Sequence, residues 1–344
     1  MKAVIMAGGK GTRLKPLTDG LPKPLVPILN APVIDWSLAL LNRYDVKEIA
    51  VTLQHLPEMI MEHLDAGACR DGLYYFLEET PLGTAGSVKN ADKFLDETFI
   101  VVSGDALTDL NIEKMLSYHR ANRADITIAV KQVDDPSRFG VVCADSIGRV
   151  YGFKEKPKPE DCPSDTVSSG IYIIEPHILE MIPAGRQFDF ARDLFPLMLD
   201  KFMRIFAYET ADYWCDVGSL TTYFSANMDA LNGRLDFSAV SAVLQGGRFI
   251  ESQSGAVFTG GNVFFGDNVK MSGGVIIGAN ASIGTGAKLH NCIIAENATV
   301  PAFTEISGSV VSPSYILDIA ALAAQDILPK DNIVPFHTPL YLLA

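Results

Sequence analysis

The segment from Ala7 to Ile28, AGGKGTRLKPLTDGLPKPLVPI, carries the densest chemistry in the chain. Gly8, Gly9 and Gly11 let the backbone approach a phosphate closely and turn successive N–H groups toward it. Arg13 and Lys23 add positive charge nearby in sequence, and Pro22 and Pro24 put Lys23 on a stiff, poorly helical stretch, which predicts a placed cation. The same glycines also suit a plain tight turn, since the loop is neither the dinucleotide GxGxxG nor a P-loop ending in GKS or GKT. Two acids follow apolar runs: Asp105 closes FIVVSGD and Asp216 stands in WCDVG. If those strand ends converge, the two carboxylates suit a hard Mg²⁺ ion; taken singly, each is equally compatible with a turn or a helix cap.

The elements that must position these groups alternate. AVIMA (3–7), VKEIAVTL (46–53), YYFLE (74–78) and FIVVSGD (99–105) read as strands, and PVIDWSLALLNRYD (32–45) and PEMIMEHL (57–64) as helices. This βα alternation predicts a mainly parallel sheet covered by helices, with ligands outside the carboxyl ends of the strands. Loops 8–24, 79–87 and 104–109 are therefore the expected site. From 125 to 215 the pattern is mixed, with added strands in DITIAVKQV, FGVVCADSIGRVYGFKEKP and FMRIFAYETADYWCDVGS, and an amphipathic helix in FDFARDLFPLMLDK (188–201). SLTTYFSANMDALNG closes the first domain as a helix stopped by Gly233.

A different grammar follows. Aliphatic residues recur every six positions at Val257, Val263, Val269 and Val275, shift by two to Ile277, Ile283 and Leu289, and resume at Ile294, Val300 and Ile306. A period of six with small corner residues predicts a parallel β-helix whose stacked coils share one apolar core; a sandwich of short glycine-rich strands is the alternative. YILDIAALAAQDIL (315–328) reads as a helix, and the apolar end NIVPFHTPLYLLA is expected to pack on a core, the coil stack or another subunit. The resulting domains are 1–233, a linker over 234–249, a coil domain over 250–312 and a tail over 313–344.

A net charge of −13 gives no general electrostatic reason to expect a nucleic-acid or membrane partner. Five scattered cysteines lack CxxC or disulfide-framework spacing, and the histidines show no zinc pattern, so reduced thiols, a cytoplasmic setting and no structural zinc are expected. The first apolar run is too short for a secretory or membrane segment and reads as a buried strand.

GGKGTRLKPLT (8–18) and PKPLVP (22–27) resemble the signature of the sugar-phosphate nucleotidyltransferases, and the resemblance continues through PLGTAGS, VVSGD, FGVV, EKP, SSGIY, WCDVG and the six-residue repeats, over roughly residues 1–310. It implies an α/β, Rossmann-like, mainly parallel or mixed-sheet nucleotidyltransferase domain followed by a left-handed parallel β-helix of hexapeptide repeats. The implied reaction is attack of a sugar 1-phosphate on the α-phosphorus of a nucleoside triphosphate, with release of pyrophosphate. By the same resemblance, Ala7, Gly8, Gly9, Gly11, Thr12 and Arg13 hold the triphosphate, with Arg13 on the departing part. Lys23 lies against the α-phosphate and the sugar phosphate, and Asp105 and Asp216 hold Mg²⁺. Gly140, Glu155, Lys156 and Gly170 match positions that contact the sugar and its phosphate. Two departures stand out: Ser103 precedes Gly104-Asp105 where the family commonly has asparagine, and Ser168-Ser169 replace the usual NAG or NTG text.

The base is expected to be read by LEETPLGTAGS, where Glu78 stands five before Gly83-Thr84 and relatives specific for uracil or thymine resemble one another in having glutamine. A carboxylate only accepts hydrogen bonds, which suits the guanine N1–H and N2–H₂ pair and meets an unfavourable acceptor on uracil. The expectation is GTP with mannose 1-phosphate giving GDP-mannose, by a homo-oligomer. Alternatives are a glucose-1-phosphate uridylyl or thymidylyl enzyme, and a silent regulatory subunit. Retention of Arg13, Lys23, Asp105 and Asp216 opposes silence. His290 is the one histidine of the repeats; an acyl-transfer role is possible in such coils, but an outward structural position is expected.

Overall fold

In the computed structural model of the chain, residues 1–67, 71–236, 244, 246–252, 254–319, 321–322 and 333–335 are described. Two compact units emerge. The first comprises 1–10, 21–25 and 36–216, and the second 11–20, 26–35 and 217–344. The division cuts across the expected boundary at 233, because the helix Leu220–Leu231 and the segments 11–20 and 26–35 belong with the C-terminal unit.

The first unit is built on a nine-stranded mixed sheet. Its strands are β1 (Lys2–Met6), β2 (Ile49–Leu53), β3 (Leu73–Leu77), β4 (Phe99–Ser103), β6 (Ile126–Gln132), β7 (Gly140–Ala144), β8 (Val150–Glu155), β9 (Thr166–Ile174) and β10 (Ile205–Glu209); a separate two-stranded pair joins β5 (Ala106–Thr108) to β11 (Trp214–Asp216). The main path runs β8-β7-β9-β4-β1-β2-β3, with β6 beside β9 and β10 beside β6. β1 pairs in parallel with β2 and β4, and β2 with β3, whereas β9 runs antiparallel to β4. IAVTL and FIVVS are central because their β-branched side chains bury on both faces, whereas LYYFL at the end of the path is half-exposed.

Register decides which residues share the ligand edge. Met6 pairs with Thr52 on one side and Ser103 on the other, and Leu53 pairs with Leu77. The carboxyl ends of the four parallel strands therefore line up, and Ala7, Gln54, Glu78 and Gly104 leave them side by side. Gly104 is required there: a Cβ on it would stand 2.7 Å from the Met6 carbonyl oxygen.

The second unit contains parallel ladders. Gly255–Thr259, Lys270–Ile277 and Lys288–Ile294 pair in parallel succession, and Ser309–Val311 continues the series. A three-stranded ladder joins Phe264–Phe265, Ser282–Ile283 and Thr299–Val300. Cross-strand partners lie 18 or 17 residues apart, as in Val257 with Val275 and Val275 with Cys292. All ten aliphatic repeat positions named from the sequence line or flank one apolar core. Left-handed backbone recurs at Asn262, Asn268, Asn280, Gly286, Asn291, Asn297 and Phe303, and asparagine and glycine tolerate that conformation best.

The expected helix over 315–328 is corrected at its start. Tyr315–Asp318 is a strand antiparallel to Ser309–Val311, because it completes the open edge of the sheet; most of the rest of that expectation, like most of the 234–249 linker and of the apolar tail, lies outside the described residues. No helix among the described residues is long and apolar enough to cross a membrane.

Candidate active site

Asp105 and Asp216 converge. β5 and β11 pair antiparallel with Asp216 opposite Ala106, so the two acids sit beside each other although 111 residues separate them in sequence. Lys23, in a one-turn 3₁₀ helix (Lys23–Leu25) on the stretch expected to be stiff and poorly helical, places its ammonium between them. Its Nζ donates to Asp105 Oδ2 and lies 3.7 Å from Asp216 Oδ1. The Lys23 side chain is only 10% exposed. Burial opposes the charge on Asp105, but the Lys23 ammonium, its hydrogen bond and the Ser103 hydroxyl outweigh it, so the carboxyl is held below the ordinary carboxylate range.

Ser103, the departure from the family text, supports this acid. Its hydroxyl donates to Asp105 Oδ1, a role the sequence exposes only as a hydroxyl two residues before a strand-end acid. Gly170, in left-handed backbone at φ 76°, leaves just enough room for Ser103: a Cβ on it would stand 3.4 Å from the Ser103 Cβ. The adjacent Ser169 carbonyl accepts from Trp214 Nε1 at 2.9 Å, and the Trp214 ring meets Phe139 edge-on at 5.5 Å. Thus 139–140, 169–170 and 214–216 are fastened together. Tyr172 follows on β9, and burial pushes its phenol up to about 12, so it stays protonated.

Gly140 faces Glu155 across the β7–β8 pair, where a Cβ would meet Glu155 Oε2 at 3.0 Å. Lys156 follows in left-handed backbone at φ 44°, with its amide bonded to the Phe139 carbonyl and its Nζ 3.3 Å from Glu155 Oε1. The lysine side chain is 56% exposed. This edge is open where the Lys23 end is closed.

On the other side of β1, Glu78 Oε2 accepts the Leu82 N–H at 3.1 Å, and Oε1 lies 3.9 Å from where a Cβ on Gly8 would stand. Gln54 crowds the same glycine, its Cβ 3.2 Å from that point, whereas a Cβ on Gly9 would meet nothing within 4 Å. Ala7 is buried and bonds the Thr52 carbonyl. Gln54 was missed from the sequence, although its place directly after the apolar strand IAVTL is the available signal. Gly83 adopts φ 72° and could carry no side chain, since a Cβ would stand 2.9 Å from the Phe188 carbonyl oxygen. Thr84 is engaged with the protein: its amide and hydroxyl both donate to Asp189 Oδ1, and its oxygen accepts the Phe190 N–H. It fixes the 188–190 loop.

Gly11, Thr12 and Arg13 fall in the second unit. Gly11 takes φ 63° before the one-turn helix Thr12–Leu14, and its carbonyl accepts from the Thr18 hydroxyl at 2.9 Å. Thr12 and Arg13 are exposed. In the same unit His290 is spoken for. Asn291 Oδ1 accepts the Gly274 N–H, which turns the amide nitrogen toward His290 Nε2 at 3.0 Å and leaves Nδ1 to donate to Ser272 Oγ. In that tautomer the ring has no free basic nitrogen.

A family model described as nucleotidyl transferase matches residues 2–233. The chain belongs to the sugar-phosphate nucleotidyltransferase family. Among its relatives, the UTP–glucose-1-phosphate uridylyltransferase of Synechocystis is 35% identical over 94% of this chain and 84% of its own length. The mannose-1-phosphate guanylyltransferase of Mycobacterium tuberculosis is 36% identical over 67% of this chain and 65% of its own. The crystal structure of HddC from Yersinia pseudotuberculosis, complexed with GMP-PN, superposes with a TM-score of 0.58 at 30% identity, covering 67% of this chain and 99% of that one. The first of these relatives spans both units, whereas the second and the HddC structure each cover about two thirds of the chain.

Proposed function

We propose that this nucleotidyltransferase moves a guanylyl group from GTP to mannose 1-phosphate, giving GDP-mannose and pyrophosphate. The observation that carries the nucleotide choice is Glu78. Its Oε2 accepts the Leu82 N–H and its Oε1 lies toward Gly8, so an acceptor-only group lies along the strand edge. Guanine offers N1–H and N2–H₂ to such a group, whereas uracil adds a carbonyl oxygen facing it, and opposing buried acceptors are costly. The mycobacterial relative named a mannose-1-phosphate guanylyltransferase and the HddC complex with GMP-PN accord with this reading.

Transfer to an α-phosphorus needs in-line approach and charge neutralisation rather than a protein nucleophile. Lys23 neutralises charge developing on the α-phosphate and on the attacking sugar phosphate, and Arg13, with Gly8, Gly9, Gly11 and Thr12, holds the departing β,γ part. Glu155 accepts from sugar hydroxyls, and Lys156 pairs with the sugar phosphate, beside Gly140 and Gly170. The donor set of Asp105 and Asp216 would suit Mg²⁺: two carboxylates brought together match an ion that keeps several waters and is held by one or two carboxylates plus substrate phosphates. When bound, Mg²⁺ supplies charge neutralisation between the two phosphates.

The 17- and 18-residue spacing of the parallel ladders supports coils of three hexapeptides in the second unit, and the left-handed sense is the one the family resemblance implies. A homo-oligomer built on that unit, in the cytoplasm, completes the reading.

The glucose-1-phosphate uridylyl alternative is favoured by one observation, the whole-chain likeness to the Synechocystis relative. An initial-rate matrix of GTP, UTP, dTTP and ATP against mannose 1-phosphate and glucose 1-phosphate, followed by pyrophosphate release, separates them. GTP with mannose 1-phosphate is expected to exceed every other pair by at least about 10-fold in kcat/KM; a UTP and glucose 1-phosphate maximum would replace this reading with the alternative.

A further inference from the structure

The cation that stands between Asp105 and Asp216 is the protein's own. Lys23 Nζ is hydrogen-bonded to Asp105 Oδ2 and 3.7 Å from Asp216 Oδ1, at the end of a side chain that is nine-tenths buried. Ser103 Oγ already holds the other oxygen of Asp105. The oxygen not held by Ser103 is therefore the one the ammonium holds. A magnesium-sized ion takes carboxylate oxygen at about 2.0–2.1 Å. An ammonium still bonded to that oxygen would lie only a few ångströms from two further positive charges, in a poorly solvated place where repulsion is weakly screened.

We infer that Lys23 is a displaceable internal counter-ion. It neutralises one of the two carboxylate charges while the site is empty, and it must leave Asp105 Oδ2 before the pair can ligate metal. Leaving turns the ammonium from the carboxylates to the only other anions the reaction brings, the substrate phosphates. Two consequences follow. Lys23 holds down the metal affinity of the free protein, and any phosphate that gives the ammonium another partner raises it, so metal and substrate bind with positive coupling. The inference rests on the metal reading above and adds to it a competition between one side chain and the ion.

The test is a Mn²⁺ titration of the full-length, metal-free protein without nucleotide, reading the free ion by electron paramagnetic resonance. Lys23→Met keeps the length of the side chain and removes its charge. It is expected to bind Mn²⁺ at least about 10-fold more tightly than the wild type, while losing transferase activity. Equal or weaker binding overturns the inference. Because the substitution leaves Asp105 without its cation and endangers folding, a second measurement uses the wild type: acetylation of Lys23, followed by mass spectrometry, is expected to be slow without metal and several-fold faster at saturating Mg²⁺. Unchanged labelling also overturns it. The two readings fail differently. A wild type that binds no Mn²⁺ even with GTP and mannose 1-phosphate removes the metal site and the inference together. Binding that Asp105→Asn abolishes, with no gain in Lys23→Met, removes the inference alone.

Discussion

Strand β4 carries a hydroxyl–carboxylate pair at each end, and the two ends differ in what surrounds the acid. At its amino end Thr98 donates to Glu175 Oε1, which His119 Nε2 also meets at 3.1 Å, and His119 Nδ1 meets the Thr127 hydroxyl at 2.8 Å. Every ring nitrogen there has a partner, and His119 is 1% exposed. At the carboxyl end Ser103 donates to Asp105, and the Lys23 ammonium meets both Asp105 and Asp216. The first network is built round a buried ring, and the second gathers two carboxylates and an ammonium at the ligand edge of the sheet. A network centred on a buried ring serves the fold, whereas a cluster of charged groups at the edge where open sheets bind ligands is the place to expect chemistry.

The comparison breaks most visibly at the acids. Asp105→Asn and Asp216→Asn are each expected to lower kcat by at least about 10²-fold with the fold intact, because each removes a negative ligand from the proposed metal pair. Near-normal rates in either purified variant, with circular dichroism unchanged, would remove the distinction between the two ends.

The opposite end should fail the other way. His119→Ala takes the ring partner from the Thr127 hydroxyl and from Glu175, which keeps Thr98, and is expected to cost about 1–3 kcal/mol in urea unfolding, with kcat per folded molecule unchanged. Burial lowers the His119 pKa more than its neighbour Glu175 raises it. The unfolded chain then binds the proton more readily than the folded one below the ordinary histidine value of 6.5. Stability should therefore be full above that pH and fall as the pH drops through it toward the lower folded value. The urea midpoint of the wild type should show this fall and that of His119→Ala should lose this part of it; the same pH slope in both proteins would count against a neutral buried ring.

A smaller effect sharpens the contrast between the closed Lys23 end and the open sugar edge. Lys156→Ala removes a half-exposed charge whose ion-pair partner is its chain neighbour Glu155. It should raise KM for the sugar phosphate by about 3- to 10-fold, leaving kcat and KM for the nucleotide nearly unchanged. An equal fall in kcat would move Lys156 from binding to the transfer step.

What the sequence disclosed follows from the range of the interactions involved. The parallel strands were legible because runs such as IAVTL and FIVVS are continuously apolar, and the six-residue repeat because its core positions are local and periodic. Convergence of Asp105 with Asp216 was not legible, because it depends on strands distant in the chain pairing. The YILD stretch misled for the same reason: its helical spacing gave way to an open sheet edge at Ser309–Val311. The contact of Thr84 with Asp189, 105 residues on, through both its amide and its hydroxyl was equally beyond the range of local sequence. Ser103 looked like a mere departure from a motif, and only the side-chain geometry gives it a partner.

The most direct test of the central claim is one ratio, the kcat/KM for GTP over that for UTP at fixed mannose 1-phosphate, in the wild type and in Glu78→Gln. The wild type is expected to favour GTP. The amide keeps one acceptor and places a donor where guanine N1–H or N2–H₂ needs an oxygen, so the ratio should fall by about 5-fold to 150-fold, the equivalent of roughly 1–3 kcal/mol for a two-point base contact. A wild type that prefers UTP, or a ratio unmoved by the substitution, would contradict the assignment of Glu78 as the reader of the base and with it the choice of GTP.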